Sequence, residues 1–136
     1  MLKVLIADDH AIVRKGLREI LREESENAEV GEASNGSEAL ALARAEPWDV
    51  VVLDITMPGT SGLAVLKALK RERPQLPVLM LSMHSGELYV AGSLKAGASG
   101  YLSKESAPEE LVTAIRTVLS GQTYVSQSLN YNPGGQ

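Results

Sequence analysis

"VVLDITMPG", Val51 to Gly59, decides the fold. A polar start at Asp49 leads into continuous apolar residues and then to one carboxylate, Asp54. Pro58 and Gly59 mark a turn beyond it. An unbroken Val/Leu run suits a strand covered on both faces. Similar short runs recur on either side: "KVLIA" (3–7), "AEVGEAS" (28–34), "DVVVLD" (49–54), "PVLMLS" (77–82) and "GYLS" (100–103).

Helical patterns lie between the runs. In 11–24, Val13, Leu17, Ile20 and Leu21 share one face; in 62–72, Leu63, Leu66 and Leu69 repeat every three residues. In 108–120 the stripe is Leu111, Ile115, Val118 and Leu119. Asn35 with Glu38, and Ser106 with Glu109, read as capping boxes. Gly97 and Gly121 follow helical runs, where a left-handed cap is wanted. The segment 87–96 has Gly92 in its interior, at a cost of about 1 kcal/mol against Ala, and is expected to be a poorly formed helix. The pattern is β-α repeated five times. It predicts an α/β fold, a doubly wound parallel sheet with helices on both faces.

The 136 residues favour one domain. Residues 1–121 are expected to form it, and 122–136, ending in the polar "QSLNYNPGGQ", to be a linker stub or tail. The chain has one Trp, four Tyr and no Phe, so its core must be aliphatic. A net charge of −4 lacks the basic footprint of a nucleic-acid binder. With no cysteine, disulfides and thiolate metal sites are excluded. The start "MLKVLIADDH" is too short an apolar run for a signal peptide, and no window approaches the roughly 18 apolar residues of a membrane span. A cytoplasmic location is expected.

Polar residues follow the strands: Asp8 and Asp9 after the first, Asp54 after the third, Ser82 after the fourth and Lys104 after the fifth. In a doubly wound sheet the carboxyl ends of the strands line the ligand crevice. Three gathered carboxylates repel, and a hard divalent cation removes the repulsion. Asp8, Asp9 and Asp54 therefore read as a Mg²⁺ site, with a phosphoryl group as the usual further ligand. Lys104 would neutralise a phosphoryl oxygen, and the Ser82 hydroxyl would donate to another. Asp54, on the central strand, is the candidate nucleophile for an aspartyl phosphate.

Each residue taken alone has a plainer reading. Asp9 would cap the helix starting near Ala11. Asp54 would be a turn residue. Lys104 would be solvated surface, and Tyr101 a half-buried strand aromatic. His10 and His84 offer metal ligands or acid–base groups, but a loop histidine is more often neither. The arrival of five residues at corresponding strand ends is what favours the phosphoryl site.

The motifs "LIADDH" (5–10), "VVLDITMPGTSG" (51–62), "VLMLSMH" (78–84) and "GASGYLSKES" (97–106) resemble the receiver domain of bacterial two-component response regulators. "ADDH", "LSMH" and "KAGASGYLSKES" are similar to the NarL/FixJ (LuxR-type) subfamily. The resemblance implies a flavodoxin-like receiver fold, five parallel strands in the order 2-1-3-4-5. It implies a phosphorylation-dependent signalling switch rather than a conventional enzyme, with Asp54 phosphorylated by a sensor histidine kinase. Mg²⁺ would be held by Asp8, Asp9, Asp54 and the backbone carbonyl of Thr56. Lys104 would bind the phosphoryl group, and Ser82 and Tyr101 would be the switch residues. A homodimer through the first and fifth helices, or the fourth, is implied as an option. DNA would be reached only through a C-terminal helix-turn-helix domain that these residues do not include. Met83 follows Ser82 where a small residue is common, and would narrow access to Asp54. Glu105 follows Lys104 where many members have proline after a cis bond.

Two other classes compete. A haloacid-dehalogenase-type phosphatase also uses an Asp nucleophile and Mg²⁺, but wants a second acid two residues on, where this chain has Thr56. A pseudo-receiver scaffold would carry no phosphate, and the intact set Asp8, Asp9, Asp54, Ser82 and Lys104 argues against it.

Overall fold

The computed structural model describes residues 2–83 and 87–126. Five strands fall on the apolar runs: β1 (Lys3–Ala7), β2 (Glu29–Ala33), β3 (Val50–Asp54), β4 (Val78–Ser82) and β5 (Gly100–Ser103). Five helices lie between and after them: α1 (Ala11–Glu24), α2 (Gly36–Ala45), α3 (Gly62–Glu72), α4 (Glu87–Lys95) and α5 (Ala107–Leu119). The strands are all parallel. Their order begins β2-β1-β3-β4-β5, as expected, and adds a short sixth strand, β6 (Tyr124–Val125), at the β5 edge. This strand lies inside the stretch expected to be a linker. Ser126, just after it, is buried; its amide donates to the Tyr101 carbonyl at 2.9 Å and its Oγ accepts from the Ser103 amide at 3.1 Å.

β3 and β4 are buried at every position, because helices cover both faces of the sheet. Alternate strand residues therefore feed two cores. Leu5, Val51, Leu53 and Met80 pack with α2, α3 and α4; Val4, Ile6, Val52 and Leu81 pack with α1 and α5. Leu17 and Leu21 of α1 and Leu111, Ile115 and Val118 of α5 are buried against the second core. Each such side chain contributes about 1.5–3 kcal/mol of burial. Leu119, placed on the α5 stripe by its spacing, is instead 47 % exposed at the last position of the helix.

Asn35 caps α2, its side chain accepting from the Glu38 amide at 2.9 Å. The Ser106 side chain does not cap α5, in contrast to the expected box: its backbone is already helical, with φ −94° and ψ −13°, whereas a cap residue that reaches its own helix is extended. Gly97 and Gly121 adopt the left-handed φ expected of them, 108° and 91°. α4 is formed as a nine-residue helix despite Gly92, against the expectation from propensity. Val90 and Ser93 are buried beneath it, and tertiary burial outweighs the cost of one glycine. The described backbone contains no cis peptide bond, so Lys104–Glu105 is trans. His84 lies outside the described residues.

Candidate functional site

β1 and β3 are neighbours, and the chain turns opposite ways from them. The crevice above that switch point is where a doubly wound sheet places its ligand. Asp8 follows the end of β1 and Asp54 ends β3. Both are buried, at 0 % and 2 % exposure. Lys104, just beyond β5, lies between them, with Nζ 3.0 Å from Asp54 Oδ2 and 3.0 Å from Asp8 Oδ2. Its backbone amide donates to the Ser82 carbonyl at 3.0 Å, so the ends of β4 and β5 are tied together directly below the ammonium.

Two loops shape the pocket. The His10 amide donates to Asp8 Oδ1 at 2.8 Å, and the Arg14 guanidinium donates to the Asp8 carbonyl. The loop after β1 is thereby folded back over its own carboxylate. After β3, the Thr56 amide donates to Asp54 Oδ1 at 3.1 Å. The Gly62 amide closes that loop on the Ile55 carbonyl at 3.0 Å. A Cβ at Gly62 would sit 2.0 Å from the Asp54 carbonyl oxygen, so only glycine lets α3 start this close to the strand end. Ser61 then caps α3 by accepting from the Ala64 amide at 3.2 Å.

The electrostatics follow from burial. Burial pushes the Asp54 carboxyl above the usual carboxylate range; the hydrogen bonds from Lys104 and the Thr56 amide pull it back, and the nearby Asp8 charge adds to the rise. Burial also works against the Lys104 ammonium, but its contacts with Asp8 and Asp54 outweigh that and hold Lys104 above its ordinary value. Two buried carboxylates thus share one ammonium, and a negative charge is left over.

Asp9 and His10 are exposed at the rim. Asp8, Asp9, His10 and Asp54 each offer a donor atom, all within 4.8 Å of one another. Asp8 Oδ2 is buried and pairs with the Lys104 ammonium at 3.0 Å. A cluster of carboxylates carrying more negative charge than one ammonium balances fits a divalent cation. The acidic cluster expected from the sequence is therefore assembled. Thr56 lines the pocket above Asp54 with Asp9, His10, Met83 and Lys104. Met83 is 69 % exposed there, at the mouth.

Ser82 is buried at the end of β4, in register with Ser103. Tyr101 is fully buried, not half-buried, and packs in the core that includes Val90, Ala98 and Met80. Sequence reasoning did not find Gly62 as a support of Asp54, and it named His10 as a metal ligand or acid–base group only to favour neither role, whereas His10 lies among the acids. The signal for the second was only its position directly after two aspartates.

Residues 4–116 match the family described as response regulator receiver domain. The chain is 43 % identical over 129 residues to Response regulator UvrY of Escherichia coli O6:H1, covering 95 % of this chain and 59 % of that protein. It is 38 % identical over 129 residues to Response regulator GacA of Pseudomonas aeruginosa, covering 95 % of this chain and 60 % of that one. The chain thus spans less than two thirds of the length of these relatives. Its fold matches the crystal structure of a LuxR-family two-component response regulator from Aurantimonas sp. SI85-9A1 with a TM-score of 0.87, at 35 % identity, covering 93 % and 91 % of the two chains. It matches the isolated REC domain of RcsB from Salmonella enterica serovar Typhimurium, solved in the presence of the phosphomimetic BeF₃⁻, with a TM-score of 0.84 at 28 % identity, covering 94 % and 95 %. No helix among the described residues is long and apolar enough to cross a membrane.

Proposed function

This chain belongs to the response regulator receiver domain family, and on that premise we propose that Asp54 is the phosphoacceptor of a switch that relays a sensor histidine kinase's signal to a DNA-binding output segment. The observation that carries the reading is the buried Asp54 at the tip of β3 with the Lys104 ammonium 3.0 Å from its Oδ2. A strand buried along its whole length is a rigid platform for a reversible covalent charge.

The chemistry is a displacement at phosphorus. A carboxylate oxygen of Asp54 forms the new O–P bond while the P–N bond to the donor histidine breaks, its electron pair returning to the imidazole. Asp8, Asp9, Asp54 and the Thr56 carbonyl would hold Mg²⁺, which when bound supplies positive charge against the phosphoryl oxygens. Lys104 moves its ion pair from the carboxylate to a phosphoryl oxygen. The Ser82 hydroxyl donates to another, and Tyr101 on the neighbouring strand responds behind it. The new dianion shifts the protein only because it binds one arrangement of β4, β5 and the helices beside them better than the other. The domain assists only its own phosphorylation and dephosphorylation, so it is a signalling module rather than an enzyme with an external substrate. Self-association belongs to the same proposal, as the route from switch to output.

Intact mass after incubation with Mg²⁺ and acetyl phosphate tests the reading. The chain gains one phosphoryl group, and neither the chain without Mg²⁺ nor Asp54→Ala does. A gain that survives Asp54→Ala refutes the assignment. No gain, together with no Mg²⁺ binding, makes the domain a scaffold that carries no phosphate.

A further inference from the structure

We propose that Ser126 is a positioning residue for Lys104, and that the receiver unit runs through it rather than closing at residue 121. The inference rests on the reading of Lys104 as the group that meets the phosphoryl oxygens.

The turn that carries Lys104 is the first observation. Three hydrogen bonds fix it. The Lys104 amide donates to the Ser82 carbonyl at 3.0 Å, and the Ser106 amide donates to the Ser103 carbonyl at 3.1 Å. The Ser103 amide donates to Ser126 Oγ at 3.1 Å. Of these partners, Ser82 ends β4 and Ser106 belongs to the turn itself. Ser126 comes from beyond α5, and it is buried at 1 % exposure.

β6 is built to deliver that hydroxyl. Gly121, at φ 91°, reverses the chain after α5 and sends it back to the sheet. The Tyr124 amide then donates to the Ser99 carbonyl at 3.1 Å, and the Ser126 amide to the Tyr101 carbonyl at 2.9 Å. In a regular parallel ladder the Ser103 amide would next meet a backbone carbonyl of the added strand. The Ser126 hydroxyl takes that carbonyl's place. Gly100 is the second, independent observation. A Cβ there would collide with the Tyr124 carbonyl oxygen, so β5 has a glycine where β6 lies against it. The Tyr124 hydroxyl donates to Glu110 Oε1 at 2.8 Å and fastens β6 to α5.

The place of the turn decides what the ammonium can do. Lys104 Nζ is 3.0 Å from both Asp8 Oδ2 and Asp54 Oδ2, and a phosphoryl oxygen on Asp54 must be met from the same turn. A charge already in place costs no reorganisation as charge develops in the transition state. Without the Ser126 hydroxyl the Ser103 amide is buried with no acceptor, and the turn shifts to find one. Misplacing a catalytic group by about 1 Å costs up to about 10²-fold in rate.

The test is the rate at which acetyl phosphate, with Mg²⁺, phosphorylates the chain, followed by intact mass. An Asp54 oxygen forms the new bond to phosphorus as the bond from phosphorus to the acetyl oxygen breaks, and acetate leaves with the electron pair. Ser126→Ala slows the uptake by about tenfold. Ser126→Cys keeps nearly the same shape but offers only a weak acceptor, so it slows the uptake too. It also serves in place of Ser126→Ala if circular dichroism shows that variant unfolded. In a Lys104→Ala chain, Ser126→Ala adds less than about twofold, because the two residues act as one unit. Parent rates in both Ser126 variants overturn the proposal. So does a parent rate in Ser126→Cys alone, because Ser126 would then be filling space. An equal slowing by Ser126→Ala with and without Lys104 overturns it as well, since the hydroxyl would then act elsewhere. A parent chain that gains no phosphoryl group fails the phosphoacceptor reading itself and takes the inference with it, whereas a phosphorylated parent with unaffected variants fails the inference alone.

Discussion

Asp54→Asn should stabilise the metal-free chain at neutral pH. Asp54 is 2 % exposed and carries a charge that water would otherwise solvate. Lys104 at 3.0 Å attracts it by about 5.5 kcal/mol at an effective dielectric of about 20. Asp8, with a donor oxygen within 4.8 Å, repels it by about 3.5 kcal/mol on the same scale. The surplus attraction of about 2 kcal/mol is smaller than the several kcal/mol that desolvating a buried ion costs. The carboxylate is therefore a net burden, which is why burial lifts its pKa. Asparagine keeps the shape and its one oxygen still accepts the Thr56 amide, while its amide nitrogen takes the place of the oxygen beside Lys104 and trims the gain. Lys104 keeps Asp8, so no buried charge is stranded. We expect a gain of about 1–2 kcal/mol, or roughly 3–8 °C in Tm for a chain of this size.

The pH dependence supplies the sign. A carboxyl whose folded pKa is raised stabilises the fold when protonated, below its unfolded value near 3.8, and loses that contribution as pH rises through the folded value. The advantage of Asp54→Asn is thus full at neutral pH and shrinks on acidification through the folded pKa towards 3.8. Calorimetric Tm values of both chains in chelator, from neutral pH downwards, give the comparison. A variant no more stable than the parent at neutral pH, or a gap that stays constant with pH, refutes the reasoning.

Three further outcomes follow from the geometry. Lys104→Ala leaves Asp8 and Asp54 buried without their shared cation, and should cost about 3–5 kcal/mol in urea unfolding at neutral pH; a loss under 1 kcal/mol would mean the ammonium is not balancing them. Gly62→Ala drives a Cβ to 2.0 Å from the Asp54 carbonyl oxygen, so it should cost about 3 kcal/mol or more and depress phosphorylation by acetyl phosphate; unchanged Tm and phosphorylation would show that the loop yields freely. Ser93→Ala removes a buried hydroxyl that has no hydrogen-bond partner among the described residues and should raise stability by about 1–2 kcal/mol, read as a shift of the urea midpoint at constant slope; a destabilised variant would contradict it.

The sequence alone determined the alternation of strands and helices and the acids at the strand tips. Both signals are local. The run from Val50 to Leu53 reads as a doubly covered strand because its own residues are all apolar, and α1 and α3 begin and end where their stripes and flanking residues place them. The gathering of Asp8, Asp54 and Lys104 then followed from the topology those elements dictate. Only the tertiary structure decided features set by distant partners. β6 has two residues and exists by pairing with β5. α4 persists through Gly92 because buried residues hold it to the sheet. Gly62 shows its purpose only against the Asp54 carbonyl. Asp54 is raised by burial and pulled back by Lys104, which stands 50 residues from it along the chain and 3.0 Å away in space, and 94 residues and 3.3 Å from His10. Local patterns fix which segments are strands and helices, whereas charge, burial and ligand spacing are properties of residues that meet only after the sheet has formed.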